Sequence, residues 1–294
     1  MAKTSFTGPV RSENGFKLIS KNTTSGLISE RTVHDLGIKD TRRYYLEEYF
    51  DLLPGINGDL ASTTESTNTP VSRQFEILGT NHTSALATYS ATVAGMAMTT
   101  ATADQDRMIV APHLDSKQGA WSGVKWGTEN QVHWECGIRT SSAIDNQWIW
   151  AGLKKTNVVE LATDTEQAFF TFGTDADNAG QSFTDFTKLH FVHSIGGTDY
   201  ISQLPITVAA STNYHLKIKF DSDRKVSIFV DGEQYNVTST SGSTGGTAVT
   251  KGTTKSAAIT DDVDLIPYIG IENCDAAAAV LNVQFEAISR LIFE

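Results

Sequence analysis

Between Asn213 and Val237 apolar and polar residues alternate with a period of two, a pattern that suits a pleated strand with one buried face and no helix. Tyr214, Leu216, Ile218 and Phe220 fall on one side, and His215, Lys217 and Lys219 on the other. The polar turn Asp221-Ser222-Asp223-Arg224 ends this strand, and Val226, Ile228 and Val230 begin an answering one. Asp231-Gly232 then reverses the chain into Glu233 to Val237. Asp-Gly suits a two-residue hairpin because both central residues must take positive φ. The expectation is a three-stranded antiparallel meander with one face in a core and one in water.

The same grammar recurs along most of the chain. Gln131 to Arg139 alternates strictly, with Val132, Trp134, Cys136 and Ile138 as the buried side. Gln147 to Leu153 is apolar on both sides, as a strand covered on both faces would be, so it is placed centrally in its sheet. Tyr44 to Leu53, Gln74 to Leu78, Arg107 to Ala111, Ala168 to Phe172, Leu189 to Ile195, Asp199 to Gln203 and Val263 to Ile271 give further strands. Ala85 to Ala103 reads as small-residue strands. In the last strand, Ala279 to Phe293, the alternation assigns Leu281, Val283, Phe285 and Ala287 to one face and Asn282, Gln284, Glu286 and Ile288 to the other. Asn57 to Pro70 reads as a loop, and the Gly-, Ser- and Thr-rich stretch Thr238 to Thr260 as a mobile loop or surface excursion. The expected fold class is all-β, a two-sheet antiparallel β-sandwich of jelly-roll type.

Charge narrows the partners. The 294 residues carry 23 Lys and Arg against 34 Asp and Glu, a net −11, which argues against nucleic acid. Residues 1 to 43 nevertheless carry +4, leaving −15 on the rest. This basic segment shows no sustained apolar period, so it reads as an extended N-terminal arm on a body of residues 44 to 294. Arg11, Lys17, Arg31, Arg42 and Arg43 are its candidate partner-binding residues. The first 30 residues contain no apolar core of a signal peptide and no stretch reaches 18 apolar residues, so a soluble protein made in a cytoplasm, without membrane contact, is expected. The two cysteines, Cys136 and Cys274, make neither a disulfide framework nor a zinc site, and whether they pair is left open by the sequence.

The segment Tyr214 to Tyr235, YHLKIKFDSDRKVSIFVDGEQY, resembles the meander of concanavalin A-like (laminin G-like) jelly rolls, and with the WECGIRT and WIWAGL strands the resemblance extends over residues 105 to 294. It implies fold more than activity, because lectins, glycosidases and structural modules share such sandwiches. The opening MAKTSFTGPVRSENGF, Met1 to Phe16, resembles the start of virion structural proteins of tailed bacteriophages. Together these imply a non-enzymatic capsid decoration on the virion surface, assembled in the host cytoplasm. Its expected partners are further copies of itself, with a trimer favoured by capsid symmetry, and the major capsid protein or other virion proteins. The alternative is a glycan-binding module of a tail fibre or host-adhesion protein.

No candidate for chemistry overturns that order. Jelly-roll glucanases of similar fold use Glu-x-Asp-x-x-Glu, which sets two carboxylates on one strand face; this chain has no such motif, so a glycosidase or lyase ranks last. Glu135 reads as an exposed charge beside His133 and Arg139. Asp175, Asp177 and Asn178, followed by Gly180, offer oxygen ligands at alternate positions as a calcium loop does, but the twelfth position is Phe186 and a plain turn is favoured. No cofactor is expected. His190 and His193 lie three apart on a strand and so face opposite ways, which prevents joint metal ligation. Trp121 and Trp126, in GAWSGVKWG, are the candidate sugar-stacking residues, whereas Trp134, Trp148 and Trp150 are assigned to the core.

Overall fold

The computed structural model describes residues 17–21, 28–32, 42–51, 53–59, 75–81, 86–112, 126–156, 164–174 and 183–292. Two units emerge, Met1–Arg42 and Arg43–Glu294. In the first, β1 (Lys17–Lys21) and β2 (Ile28–Thr32) pair antiparallel, Lys17 opposite Thr32 and Leu18 opposite Arg31. The segment expected to be an extended arm thus contains a hairpin. Strands of five residues offer too few alternations to stand out in a Ser- and Thr-rich stretch.

The second unit is the sandwich. Its first sheet has eight strands among the described residues: β3 (Arg43–Glu48), β6 (Ala87–Tyr89), β7 (Met96–Thr99), β10 (His133–Thr140), β15 (Asn213–Phe220), β16 (Val226–Val230), β17 (Glu233–Tyr235) and β20 (Val280–Leu291). They run in the order β17-β16-β15-β10-β20-β7-β6. β20 is long enough for β7 to pair with its first part and β3 with its last. The second sheet has ten: β4 (Gly55–Asp59), β5 (Glu76–Gly79), β8 (Arg107–Ala111), β9 (Trp126–Gly127), β11 (Gln147–Lys154), β12 (Gln167–Gly173), β13 (Lys188–Ile195), β14 (Thr198–Thr207), β18 (Thr247–Ala248) and β19 (Asp264–Asn273). Their order is β18-β14-β13-β12-β11-β19-β8-β5-β4, with β9 also beside β19. Neighbours are antiparallel except β4 with β5 and β14 with β18. β11 lies between β12 and β19, the central place its two apolar faces require.

The inter-sheet core is built by the alternation that defines the strands. Tyr214, Leu216, Ile218 and Phe220 of β15 are all buried, as are Val226, Ile228 and Val230 of β16 and Trp134, Cys136 and Ile138 of β10. From the facing sheet come Ile149, Ala151 and Leu153 of β11 and Ala168, Phe170 and Phe172 of β12. Each large side chain so buried contributes about 1.5–3 kcal/mol. The Asp231-Gly232 turn takes φ of 52° and 84°, the positive pair its hairpin needs.

The intervening residues of the ten-stranded sheet form a second apolar layer on its outer side. Trp148, Trp150, Phe169, Val192, Ile201 and Tyr268 belong to it, joined by Phe183 from the loop before β13. Cys274 lies in this layer and Cys136 in the inter-sheet core, and the two thiols are not joined.

The Gly-, Ser- and Thr-rich stretch after β17 is a surface excursion, fixed by hydrogen bonds and by Val249 and Ile259, which pack on the inter-sheet core. Gly252 N donates to Gln234 O, Asn236 N to Thr250 O and Ser256 N to Val226 O, all along the β16–β17 side. On the other sheet Val249 N donates to Gln203 O and Gly242 N to Asp199 O, and β18 pairs with β14. One segment is therefore stitched to the β17 edge of one sheet and the β14 edge of the other.

Candidate functional site

The two outer faces of the sandwich differ, and the difference decides where a partner can be met. On the ten-stranded sheet the rings lie down on their neighbours. A Cβ at Gly173 would collide with the Trp148 ring, so glycine opposite Trp148 lets the indole lie across the strand. Trp148 stacks on Phe183 at 5.4 Å and Phe183 on His190 at 3.9 Å. Trp148, Trp150 and Tyr268 are each 1% exposed, which leaves no ring face for a ligand.

Charges on and around this sheet are committed to structure. Lys154 Nζ is 3.6 Å from Asp164 Oδ2 and 5.3 Å above the Phe169 ring. Asp164 also accepts from Lys155 N, Thr156 N and Thr156 Oγ1. Glu166 Oε1 accepts from Gly196 N and Thr260 Oγ1, tying three loops. Glu272 pairs with Arg107, and Gln167 and Ser194 form a chain to Asp199. His190 and His193 are buried on opposite faces, as the spacing implied. Burial lowers their pKa values to about 4 and about 3, so both are neutral packing groups. Among the described residues no group of three or more His, Cys, Asp or Glu is arranged to hold a metal.

On the eight-stranded sheet the outward residues of β15 alternate with buried ones, and His215 among them is exposed. Glu135 of β10 stands opposite Lys217 of β15 and next to His215, accepting from Lys217 Nζ at 2.9 Å and lying 3.1 Å from His215 Nε2. Burial alone would raise its pKa; the two partners outweigh that and bring it to about 2. Glu135 is thus a fixed anion, though paired with residues 80 and 82 positions later and not with the His133 or Arg139 of its own strand. Beside it the Phe285 ring lies 5.9 Å from Tyr49 and 5.6 Å from His215. Tyr49 is 59% exposed. The sequence singles out neither ring, because Tyr49 lies in a general aromatic cluster and the alternation of the last strand puts Phe285 on the same face as Leu281 and Val283.

The structure separates the residues proposed from sequence. Trp126 is fully buried on β9, with its ring 5.9 Å from Tyr44, so it is a core residue and presents nothing to a sugar. Trp121 and the calcium candidates Asp175, Asp177 and Asn178 lie outside the described residues, as does Arg11. Lys17 and Arg31 sit on β1 and β2, and Arg42 is exposed at the end of the first unit. Arg43 is corrected from arm to body. It opens β3, donates from Nη2 to Gln131 O and Ser289 O and from Nε to Ser289 Oγ, and so works as an internal brace.

The chain matches no protein-family model and no curated protein sequence. Among solved structures it is similar to a Shewanella oneidensis protein of unknown function, with TM-score 0.46 and 11% identity over 86% of this chain and 88% of that one. A β-1,3-1,4-glucanase from a mouse hindgut metagenome gives TM-score 0.46 and 10% identity over 83% and 98%. A carbohydrate-binding module from Bacillus subtilis gives 0.35 and 12% over 71% and 94%.

Proposed function

We propose that the chain is a non-enzymatic structural protein of a tailed-phage virion, a decoration on the capsid surface whose basic N-terminal unit binds neighbouring subunits or the capsid lattice. The observation that carries this reading is the coincidence of a charge boundary with a structural one. With Arg43 assigned to the body, the unit ending at Arg42 carries +3 and the sandwich −14. A short basic unit on an acidic body is suited to bridging copies, since each copy offers both the cation and the anion. A closed ring, a trimer for preference, follows from placing such copies on a symmetric shell.

The carboxylates on and around the ten-stranded sheet support the non-enzymatic reading: Asp164, Asp199 and Glu272 are each occupied in tying strands and loops. The resemblance of Met1 to Phe16 to virion proteins supplies the class of particle. The experiment is to sediment purified particles with the full chain and with residues 43–294. The full chain is expected to co-sediment in regular stoichiometry and the shortened chain to stay in the supernatant while keeping its β signal in circular dichroism. Equal partition of both, or none of either, would overturn the reading.

A further inference from the structure

In the sequence of β20 the apolar residues Leu281, Val283 and Phe285 fall at alternate positions, so a regular strand would turn Phe285 inward and Glu286 outward. The pairing with β10 prevents it. Gly137 stands opposite Phe285 while Ile138 stands opposite Val283, which leaves Gln284 as an extra residue in a β-bulge. Beyond the bulge the parity is reversed: Glu286 and Ile288 are buried and Phe285 is on the outer face.

Both consequences are unfavourable for folding alone. Glu286 is fully buried, with one hydrogen bond, from Trp134 Nε1 to its Oε1 at 2.8 Å. Its other oxygen finds no partner among the described residues, and burial raises its pKa to about 8. A large ring is meanwhile brought out toward water. Local rules are broken in this way where a surface has a use, and bulges commonly re-aim a side chain at such places. The ring is also given a seat: a Cβ at Gly137 would lie 2.7 Å from Phe285 Cε1, so only glycine lets the phenyl group rest on the strand.

We propose that Tyr49, Phe285 and His215, with Glu135 and Lys217 beside them, form a saccharide-binding surface on the outer face of the eight-stranded sheet. A pyranose ring has one apolar C–H face and a rim of hydroxyls. Phe285 and Tyr49 provide the apolar bed. Glu135 and Lys217, one alternate position along their strands and so about 7 Å away, provide a fixed acceptor and donor for the rim. Aromatic rings with a few fixed polar groups beside them supply both kinds of contact that a pyranose ring can make. A protein partner fits less well, since protein interfaces of about 800 Å² per side have cores depleted in charge, and here an ion pair lies immediately beside two rings. The surface uses none of the residues singled out for sugar stacking from the sequence, and it goes beyond the virion reading without depending on it.

The test is retention of the full-length chain on a printed array of hexose-containing glycans and on immobilised bacterial O-polysaccharide. Wild type is expected to bind at least one probe, and Tyr49→Ala and Phe285→Ala to weaken that binding tenfold or more. Tyr49→Ala removes an exposed ring, so it keeps the test valid if Phe285→Ala fails to fold; Lys217→Met should lower affinity with unchanged β signal. Binding to no probe, or binding that survives Tyr49→Ala and Lys217→Met together, overturns the proposal. So does a fall in light-scattering mass in Tyr49→Ala without loss of glycan binding, which would make this face a contact between copies.

Discussion

Replacing Glu286 by Gln should make the protein more stable, by an amount that grows with pH. The carboxyl group is wholly inside the sandwich, between Cys136 of β10 and Glu48 of β3 in the sheet, and carries a pKa of about 8 against an ordinary 4.5. Below 4.5 it is protonated in both the folded and the unfolded chain, and the stability it allows is fully present. As pH rises from 4.5 the unfolded chain releases the proton and the folded chain holds it, so stability falls until about 8, where the folded group ionises too. At about 1.4 kcal/mol per pH unit this interval amounts to at most about 5 kcal/mol, reduced wherever water or a shift of β20 relieves the charge. Gln has the shape and no charge. Urea midpoints of the two proteins should therefore agree within about 1 kcal/mol near pH 4.5 and separate by about 2–4 kcal/mol in favour of Glu286→Gln at pH 8. His190 and His193 titrate in both proteins and cancel in the difference. A gap that stays constant across this range would refute the argument, because it would mean that Glu286 ionises as freely in the fold as out of it.

Other outcomes follow from packing. Gly173→Ala should destabilise the sandwich by about 1–3 kcal/mol, since the added methyl group meets the Trp148 ring, and tryptophan fluorescence should report the displacement during denaturant titration. Ile218→Ala should lose about 2–5 kcal/mol, whereas Lys217→Ala, on the same strand but facing outward to Glu135, should lose about 0.5–1 kcal/mol; equal shifts in midpoint would show the register of β15 to be wrong. Arg43→Ala removes three hydrogen bonds that tie β3 to β20 and to Gln131, and should cost about 1–3 kcal/mol in thermal or chemical unfolding. An unchanged midpoint would return Arg43 to the N-terminal unit.

What could be read from the sequence was what local pattern alone determines. The β15–β17 meander was legible because alternation and the Asp-Gly turn are both set within a few residues. The facing of His190 and His193 was legible for the same reason. β20 was not: the inversion at Gln284 depends on Gly137, almost 150 residues earlier, and no property of the β20 residues announces it. Trp126 misled because its flanking glycines suggested a loop, while its own two-residue strand, paired to β19, carries it into the core. The ion pairs of Glu135 required knowing that β10 and β15 are neighbours. The hairpin β1–β2 was too short, and the stitched segment after β17 too polar, for apolar periodicity to register either. In the latter, backbone and Ser/Thr hydrogen bonds supply most of the order, with only the isolated Val249 and Ile259 reaching the core.

That stitched segment has a consequence for crowding. A sheet's last strand exposes a row of unused amide and carbonyl groups, and identical sheets brought close together can zip edge to edge into fibres. Here β17, and β14 behind the two-residue β18, already have partners from their own chain on one flank. Copies held side by side at very high local concentration, as on a closed shell, would meet along that flank through hydroxyl-rich loops, with only the two-residue β18 at the edge of its sheet. Association would then be left to surfaces with a definite stopping point, which is the condition for a layer of fixed size and not an aggregate.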